Sequence, residues 1–206
     1  MDVWYASYGS NMSFDRLACY LTGGCPPGAT RTYPGARDRT LPTDVRPLKL
    51  AGSVYFAWHS PTWGGGGIAL YDPDGPGSSV GRAYRLAPGQ LSDLLEQEMH
   101  REPGIDHDLS ELMAGGVAMV GNGRYESVHV VGELHGEPVV TFTSPERMHA
   151  ADHNEPSAAY LSTMARGLVE SHGWDADRVA TYLLDRPGIG SWDVAGIRRL
   201  LEEPAP

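Results

Sequence analysis

Hydrophobic residues are concentrated at the start of the chain and then give way abruptly to small polar ones. Residues 3–7 are mostly β-branched or aromatic and predict a strand, whereas Gly9-Ser10-Asn11 favours a turn. A helical pattern follows over residues 14–21, with Ser13 as its N-cap. A strand that ends in a turn before a helix presents free backbone N–H groups, which suit anions and carbonyl oxygens. An ordinary strand–turn–helix connection remains the default explanation of these residues taken alone.

The rest of the chain alternates between strand-like and helix-like patterns. Strands are predicted in six further segments: residues 50–59, 68–71, 80–86, 116–120, 125–133 and 138–142. The first three of these are joined closely enough to form an antiparallel meander. Helices are predicted at residues 88–100, 160–172 and 179–184, with a last one capped by Ser191 or Asp193 and ending at Leu201. This order predicts an α+β fold in which a small closed or half-closed sheet is surrounded by helices.

The predicted helix at residues 88–100 places one carboxylate on its apolar face. Its apolar stripe consists of Leu91, Leu94, Leu95 and Met99. Glu98 falls near the middle of this stripe, whereas Asp93 and Glu96 project to the opposite face, where we expect solvated surface carboxylates. An inward carboxylate has to be paired, hydrogen-bonded or exposed in a cavity. Glu98 is therefore either half of a structural salt bridge or a general base.

Composition limits the classes of partner and location. The 206 residues are expected to form a single domain over 1–206, with a long loop at 22–47 and a short tail at 203–206. The net charge of −10, with scattered positive residues, argues against nucleic acid or an anionic membrane as a partner. With neither a signal-peptide pattern nor a membrane-spanning apolar run, a cytoplasmic location is expected. Cys19 and Cys25 match no zinc motif and are expected to be free thiols.

Two histidines suggest an alternative chemistry. His149 and His153 have the i, i+4 spacing of metal ligands if their segment is helical, which would suit a metal-dependent amide hydrolase such as a deacylase. The glutamate of an H-E-x-x-H site is absent, and a polar loop explains the segment more simply. His100 and His107 are expected to be surface residues without a role.

Four motifs, taken in order, resemble the γ-glutamylcyclotransferase superfamily. They are Tyr8-Gly9-Ser10-Asn11 after the first strand, Val80-x-Gly-x-x-Tyr84-x-Leu86 before the helix, Gln97-Glu98 within it, and Pro156-Ser157-x-x-Tyr160. Together these motifs span roughly residues 3–182, which is most of the chain. It implies a small mixed, mainly antiparallel β-barrel flanked by helices.

The resemblance also implies a reaction and a set of site residues. In this family, the α-amine of a γ-glutamyl group attacks its own γ-carbonyl, which releases 5-oxoproline and an amine without a metal or cofactor. Glu98 corresponds to the catalytic base, and Tyr8, Gly9, Ser10, Asn11 and Tyr160 correspond to residues that bind the small-molecule γ-glutamyl substrate. A non-catalytic binding protein on the same fold is a further alternative. The leaving amine and the oligomeric state stay open.

Overall fold

A computed structural model describes residues 2–203, and eight β-strands lie in that part of the chain. They are β1 Val3–Ser7, β2 Val45–Ala51, β3 Ser53–Ala57, β4 Ile68–Asp72, β5 Ser78–Leu86, β6 Val117–Met119, β7 Ser127–Leu134 and β8 Glu137–Thr143. Six of them form one sheet in the order β2-β5-β1-β8-β7-β6, and β3 pairs with β4 in a separate sheet.

Six α-helices surround these sheets within the described residues. They are α1 Phe14–Thr22, α2 Pro88–Glu98, α3 Ser110–Gly115, α4 Ala158–His172, α5 Ala176–Leu184 and α6 Val194–Glu202. The short helix α3 has no counterpart in the sequence prediction. The last helix is capped by Asp193, whose carboxylate accepts a hydrogen bond from the Gly196 N–H.

The strand β1 lies in the middle of the large sheet, and all five of its residues are buried. It pairs antiparallel with β5 and parallel with β8, and the other strand pairs are antiparallel. Thr143 of β8 links the two sheets, because its Oγ1 accepts from the Tyr71 N–H and donates to the Tyr71 carbonyl, each at 2.8 Å. The α+β class with a mixed, mainly antiparallel sheet flanked by helices is therefore confirmed. The sheets are joined by side chains, and backbone pairing does not close them into a continuous ring within residues 2–203.

The predicted meander is wrong, because the segment 50–59 is divided between two sheets. Strand β2 pairs with β5, whereas β3 turns away to pair with β4. Gly52 lies between β2 and β3 with a φ of +96°, and a Cβ there would lie 2.4 Å from the Asp72 carbonyl oxygen. A glycine is needed for this bend, since other residues rarely adopt positive φ.

The prediction that Asp93 and Glu96 are surface carboxylates is also wrong. Both are buried in α2 and paired with arginines from neighbouring loops. Asp93 accepts hydrogen bonds from the backbone and side chain of Arg37, and Glu96 accepts two from Arg101. These loops cover the face of the helix that the sequence pattern assigned to solvent.

The connection between α1 and β2 covers residues 23–44 and is held against the body of the protein. The Ala36 N–H donates to the Leu21 carbonyl at 2.9 Å, and the Tyr33 and Gly24 backbones bond to each other. Residues 204–206 of the predicted tail lie outside the described residues. None of the helices described within residues 2–203 is both long and apolar enough to cross a membrane.

Candidate active site

The Gly9-Ser10-Asn11 segment lies directly after β1. Residues Ser10–Met12 form a single turn of 3-10 helix, closed by a hydrogen bond of 3.0 Å from the Met12 N–H to the Gly9 carbonyl. The leading N–H groups of such a turn have no partner inside it. A Cβ on Gly9 would lie 3.0 Å from the Tyr160 hydroxyl and 3.2 Å from the Ala69 Cβ. Glycine therefore lets the backbone approach these neighbours closely.

Asn11 joins this turn to Glu98 at the end of α2. Its Nδ2 donates to Glu98 Oε1 at 2.9 Å and to the Tyr5 hydroxyl at 3.1 Å. The Tyr84 hydroxyl donates to the Asn11 carbonyl at 2.8 Å, which fixes the backbone of the turn. Within residues 2–203, Asn11 Oδ1 is buried without a partner. The inward carboxylate is therefore oriented by an uncharged amide.

Glu98 and the turn line an open pocket whose empty space, including the part that is open to solvent, is about 500 Å³. The pocket is lined by Tyr5, Ser7, Tyr8, Gly9, Ser10, Asn11, Arg16, Tyr33, Ser60, Thr62, Trp63, Ile68, Ala69, Glu98, His100, Arg124, Tyr125, Phe142 and Tyr160. All six residues predicted for the site are among them.

The two predicted tyrosines have different roles in the geometry. The Tyr8 hydroxyl donates to the Phe142 carbonyl at 2.9 Å, so its proton is engaged within the protein. The Tyr160 hydroxyl accepts from the Ala69 N–H at 2.9 Å. Burial raises the pKa of Tyr160 to about 12, so this phenol keeps its proton at neutral pH. Tyr160 therefore remains a potential donor beside the Ser10 turn.

Arg16 is a pocket residue that the sequence analysis missed. It is 3% exposed, its Nη2 donates to the hydroxyls of Tyr20 at 2.6 Å and Tyr33 at 3.0 Å, and its guanidinium lies over both rings. Its Nε and Nη1 are buried without partners within residues 2–203. The sequence did contain a signal, since Arg16 lies one helical turn before Tyr20 on the buried face of α1.

His100 and Arg124 form the wall beside Glu98. Arg124 Nη2 donates to the Glu98 carbonyl and to His100 Nε2, each at 3.0 Å. Burial and the nearby charge of Arg124 lower the pKa of His100 to about 4. The expectation that His100 and His107 are surface residues without a role is wrong. His100 lines the pocket, and His107 is hydrogen-bonded to Glu96 at 2.8 Å.

The histidine pair of the metal alternative does not have the geometry it needs. Residues 148–150 form a turn rather than a helix, and His149 and His153 are both exposed. The His153 ring is hydrogen-bonded to the Met148 carbonyl at 3.1 Å. Within residues 2–203, no group of three or more His, Cys, Asp or Glu side chains is arranged to hold a metal ion.

Comparison with solved structures defines the class of fold. A structure described as a γ-glutamyl cyclotransferase matches with a TM-score of 0.53 and 15% sequence identity, over 97% of this chain and 99% of that one. An uncharacterized protein from Homo sapiens matches with a TM-score of 0.54 and 16% identity, over 98% and 99% of the two chains. These likenesses establish the fold. The chain has the γ-glutamylcyclotransferase-like fold that its motifs implied.

Comparison with curated proteins gives a relative of much greater length. Histone deacetylase 5 of Arabidopsis thaliana is 28% identical over 202 residues, which is 89% of this chain and 30% of that protein. The chain therefore spans less than a third of the length of this relative. No family model matches the sequence.

Proposed function

We propose that this protein is a γ-glutamylcyclotransferase-type enzyme, which cleaves a γ-glutamyl amide and releases 5-oxoproline and an amine. The observation that carries the proposal is the hydrogen bond between Asn11 and Glu98, in a pocket that also contains Arg16, whose Nε and Nη1 have no partner within residues 2–203. A base, a cation for a carboxylate and a close-approach turn are the groups that the reaction requires. They lie together on the fold in which the family reaction occurs.

In the proposed reaction, Glu98 takes a proton from the α-ammonium group of the substrate. The freed amine attacks the γ-carbonyl, so a C–N bond forms within the glutamyl group. The bond to the leaving nitrogen then breaks as Glu98 gives its proton to that nitrogen. The second proton of the attacking nitrogen passes through Glu98 to the released amine, which leaves as an ammonium ion. Because a five-membered ring closes within one molecule, the enzyme has to align the ends and transfer two protons from the attacking to the leaving nitrogen, and the reaction needs no metal or cofactor.

The substrate's other groups match the remaining polar atoms of the pocket. The α-carboxylate of the glutamyl group suits Arg16, whose Nε and Nη1 have no partner within residues 2–203. The developing negative charge on the γ-carbonyl oxygen suits the N–H groups of Gly9, Ser10 and Asn11. Tyr160 supplies a protonated hydroxyl beside them, and Tyr8 supports the wall with its ring.

The test is an assay of 5-oxoproline release from a panel of γ-glutamyl amides, with Glu98→Gln as the matched variant. The amide keeps the shape and the ability to accept from Asn11 but cannot take up the proton. We expect a loss of kcat of about 100- to 10,000-fold, the usual contribution of a positioned acid–base group. Unchanged turnover in a variant shown by circular dichroism to be folded would refute the mechanism. Binding of γ-glutamyl compounds without any turnover by the unmodified protein would identify it as a binding protein instead.

A further inference from the structure

The loop between β3 and β4, residues 58–67, forms one wall of the pocket. Its buried Trp63 packs edge-on against Tyr160, with the ring centres 5.5 Å apart. The centre of the Trp63 ring lies 5.9 Å from the guanidinium carbon of Arg16. Because Arg16 and Tyr160 are the proposed partners of the glutamyl group, the position of this loop affects two groups that the substrate needs.

The sequence of the loop gives its backbone considerable freedom. Residues 64–67 are four consecutive glycines, and glycine loses more conformational freedom on folding than any other residue. Within the loop, the Gly65 N–H donates to the Ser60 carbonyl at 2.7 Å, and the Ser60 N–H donates to the Gly66 carbonyl at 3.0 Å. These bonds fold the tip of the loop back on itself, and they do not involve the carbonyls of Trp58 and Gly65.

Asn154, which lies outside the loop, binds both of these carbonyls. Its Nδ2 donates to the Trp58 carbonyl at 2.7 Å and to the Gly65 carbonyl at 3.0 Å. His59 Nδ1 lies 3.2 Å from the same nitrogen. A primary amide has two N–H groups, so the two carbonyls are enough to use both. One side chain therefore connects the start of the loop to a point near its end.

The segment that carries Asn154 is itself fixed. The Asn154 N–H donates to the Phe56 carbonyl at 3.1 Å. The Gly67 N–H donates to the Glu155 carbonyl at 2.8 Å, and the Glu155 carboxylate accepts from the Ser191 N–H at 2.7 Å. A Cβ on Gly67 would overlap the Asn154 carbonyl oxygen, so glycine is needed at this close approach. The Asn154 amide is therefore a fixed point against which the loop is held.

We propose that Asn154 is a positioning residue for the proposed reaction and that it acts through Trp63. Its amide holds the loop closed, and the closed loop keeps Trp63 packed against Arg16 and Tyr160. Asn154 itself does not line the pocket. The inference rests on the proposed function, and it assigns to the four-glycine loop a place in substrate binding.

Loss of this amide should affect substrate binding more than the chemical step. The proposed base Glu98 lies at the end of α2 and is held by Asn11, and neither residue belongs to the loop. Partial unfolding has a different signature, because it lowers the fraction of active molecules and hence the apparent kcat, whereas KM stays the same. A rise in KM at constant kcat therefore distinguishes positioning from a general loss of stability.

The test measures 5-oxoproline release from γ-glutamyl-L-alanine by Asn154→Ala. We expect KM to rise about 10-fold, an effect of the size of one or two hydrogen bonds, and kcat to stay within about threefold. Asn154→Gln, which keeps the amide donors, should recover part of the loss. Asp152→Ala is the matched control, since it truncates a side chain of similar size at an exposed position of the same segment, and it should leave both constants unchanged. A fall in kcat at constant KM would overturn the positioning role.

A double-mutant cycle tests the route through Trp63. If Asn154 acts through this ring, the rises in KM of Asn154→Ala and Trp63→Phe should not multiply in the double variant. The reason is that the second substitution removes an interaction that the first has already disturbed. Rises in KM that multiply would overturn this route.

Calorimetry with 5-oxoproline separates failure of this inference from failure of the proposed function, because binding requires no turnover. The Kd should rise about 10-fold in Asn154→Ala. Unchanged KM and Kd in this variant, with turnover by the unmodified protein, would overturn the inference and leave the proposed function standing. Weaker binding by the variant, without any turnover by the unmodified protein, would overturn the proposed function alone. Neither binding nor turnover by the unmodified protein would overturn both.

Discussion

Replacing Arg16 with methionine distinguishes the energetic cost of burying its charge from the contribution of that charge to ligand binding. The Arg16 guanidinium makes two hydrogen bonds, to the hydroxyls of Tyr20 and Tyr33, and lies 4.1 Å and 4.6 Å from the centres of their rings. Methionine keeps an unbranched side chain that packs against the same rings, and it removes the charge. The variant therefore tests whether Arg16 serves the fold or a ligand.

The expected effect on stability is small because two contributions oppose each other. Loss of two hydrogen bonds from a charged donor destabilises by about 3–6 kcal/mol. The substitution also removes the buried Nε and Nη1, which lack partners within the described residues. Losing their desolvation penalty offsets about 2–6 kcal/mol of that destabilisation. Near the midpoints of these ranges the two contributions almost cancel, so we expect the free energy of unfolding to change by no more than about 2 kcal/mol, a Tm shift of at most about 8 °C for a chain of this size. The expected loss in kcat/KM is much larger, about two to three orders of magnitude, because a carboxylate of the substrate would be left unpaired.

The assay combines urea unfolding with 5-oxoproline release from γ-glutamyl-L-alanine, with Arg199→Met, a substitution of an exposed arginine of α6, as the control. Added 5-oxoproline, which retains the α-carboxylate, should raise the Tm of the unmodified protein and not that of Arg16→Met. A variant that keeps kcat/KM within about threefold of the unmodified protein would refute the assignment. A loss of more than about 4 kcal/mol of stability with activity retained would show instead that Arg16 is structural.

Three further perturbations test particular contacts. Tyr160→Phe leaves the Ala69 N–H without its acceptor, so urea unfolding should show a loss of about 1–3 kcal/mol, and an unchanged free energy would contradict the hydrogen bond. Gly52→Ala should destabilise by at least about 1 kcal/mol, because the new Cβ meets the Asp72 carbonyl at a positive φ, and a stable variant would disprove the bend. The free energy of unfolding should fall as the pH drops from 6.5, the ordinary pKa of histidine, towards about 4. In this range His100 binds a proton in the unfolded chain but not in the folded protein. His100→Gln should reduce that dependence in Tm measurements at several pH values, and identical pH profiles would exclude this explanation.

The sequence predicted those features that depend on local pattern. Hydrophobic periodicity predicts the central strand, the helix that begins at Phe14 and the inward position of Glu98, because each is decided within one or two turns of chain. Periodicity did not predict that the segment 50–59 is divided between two strands, because β2 and β3 are both strand-like and a single residue, Gly52, separates them. Which strand pairs with which depends on contacts between distant segments, and no local pattern contains them.

The burial of charged residues also depends on contacts between distant segments, which a local pattern does not contain. A helical projection treats Asp93 and Glu96 as solvated because the chain that covers them is remote or irregular. Arg37 comes from the connection after α1, 56 residues before Asp93, and Arg101 follows the end of α2. Arg16 was overlooked for the opposite reason, since a single arginine on a short helix is usually exposed.

The three carboxylates of α2 differ in the partners that hold them, and this difference supports Glu98 as the proposed base. Asp93 and Glu96 are each held by an arginine, and Glu96 is also hydrogen-bonded to His107. Glu98 accepts from the Asn11 amide, the one hydrogen bond to its carboxylate within residues 2–203. An amide orients the carboxylate without supplying a competing positive charge, so the ammonium group of a substrate would be the strongest cation in contact with it. A neutral partner at this position, on a helix whose two buried carboxylates have arginines, suits the proposed base, which has to exchange its proton with a ligand.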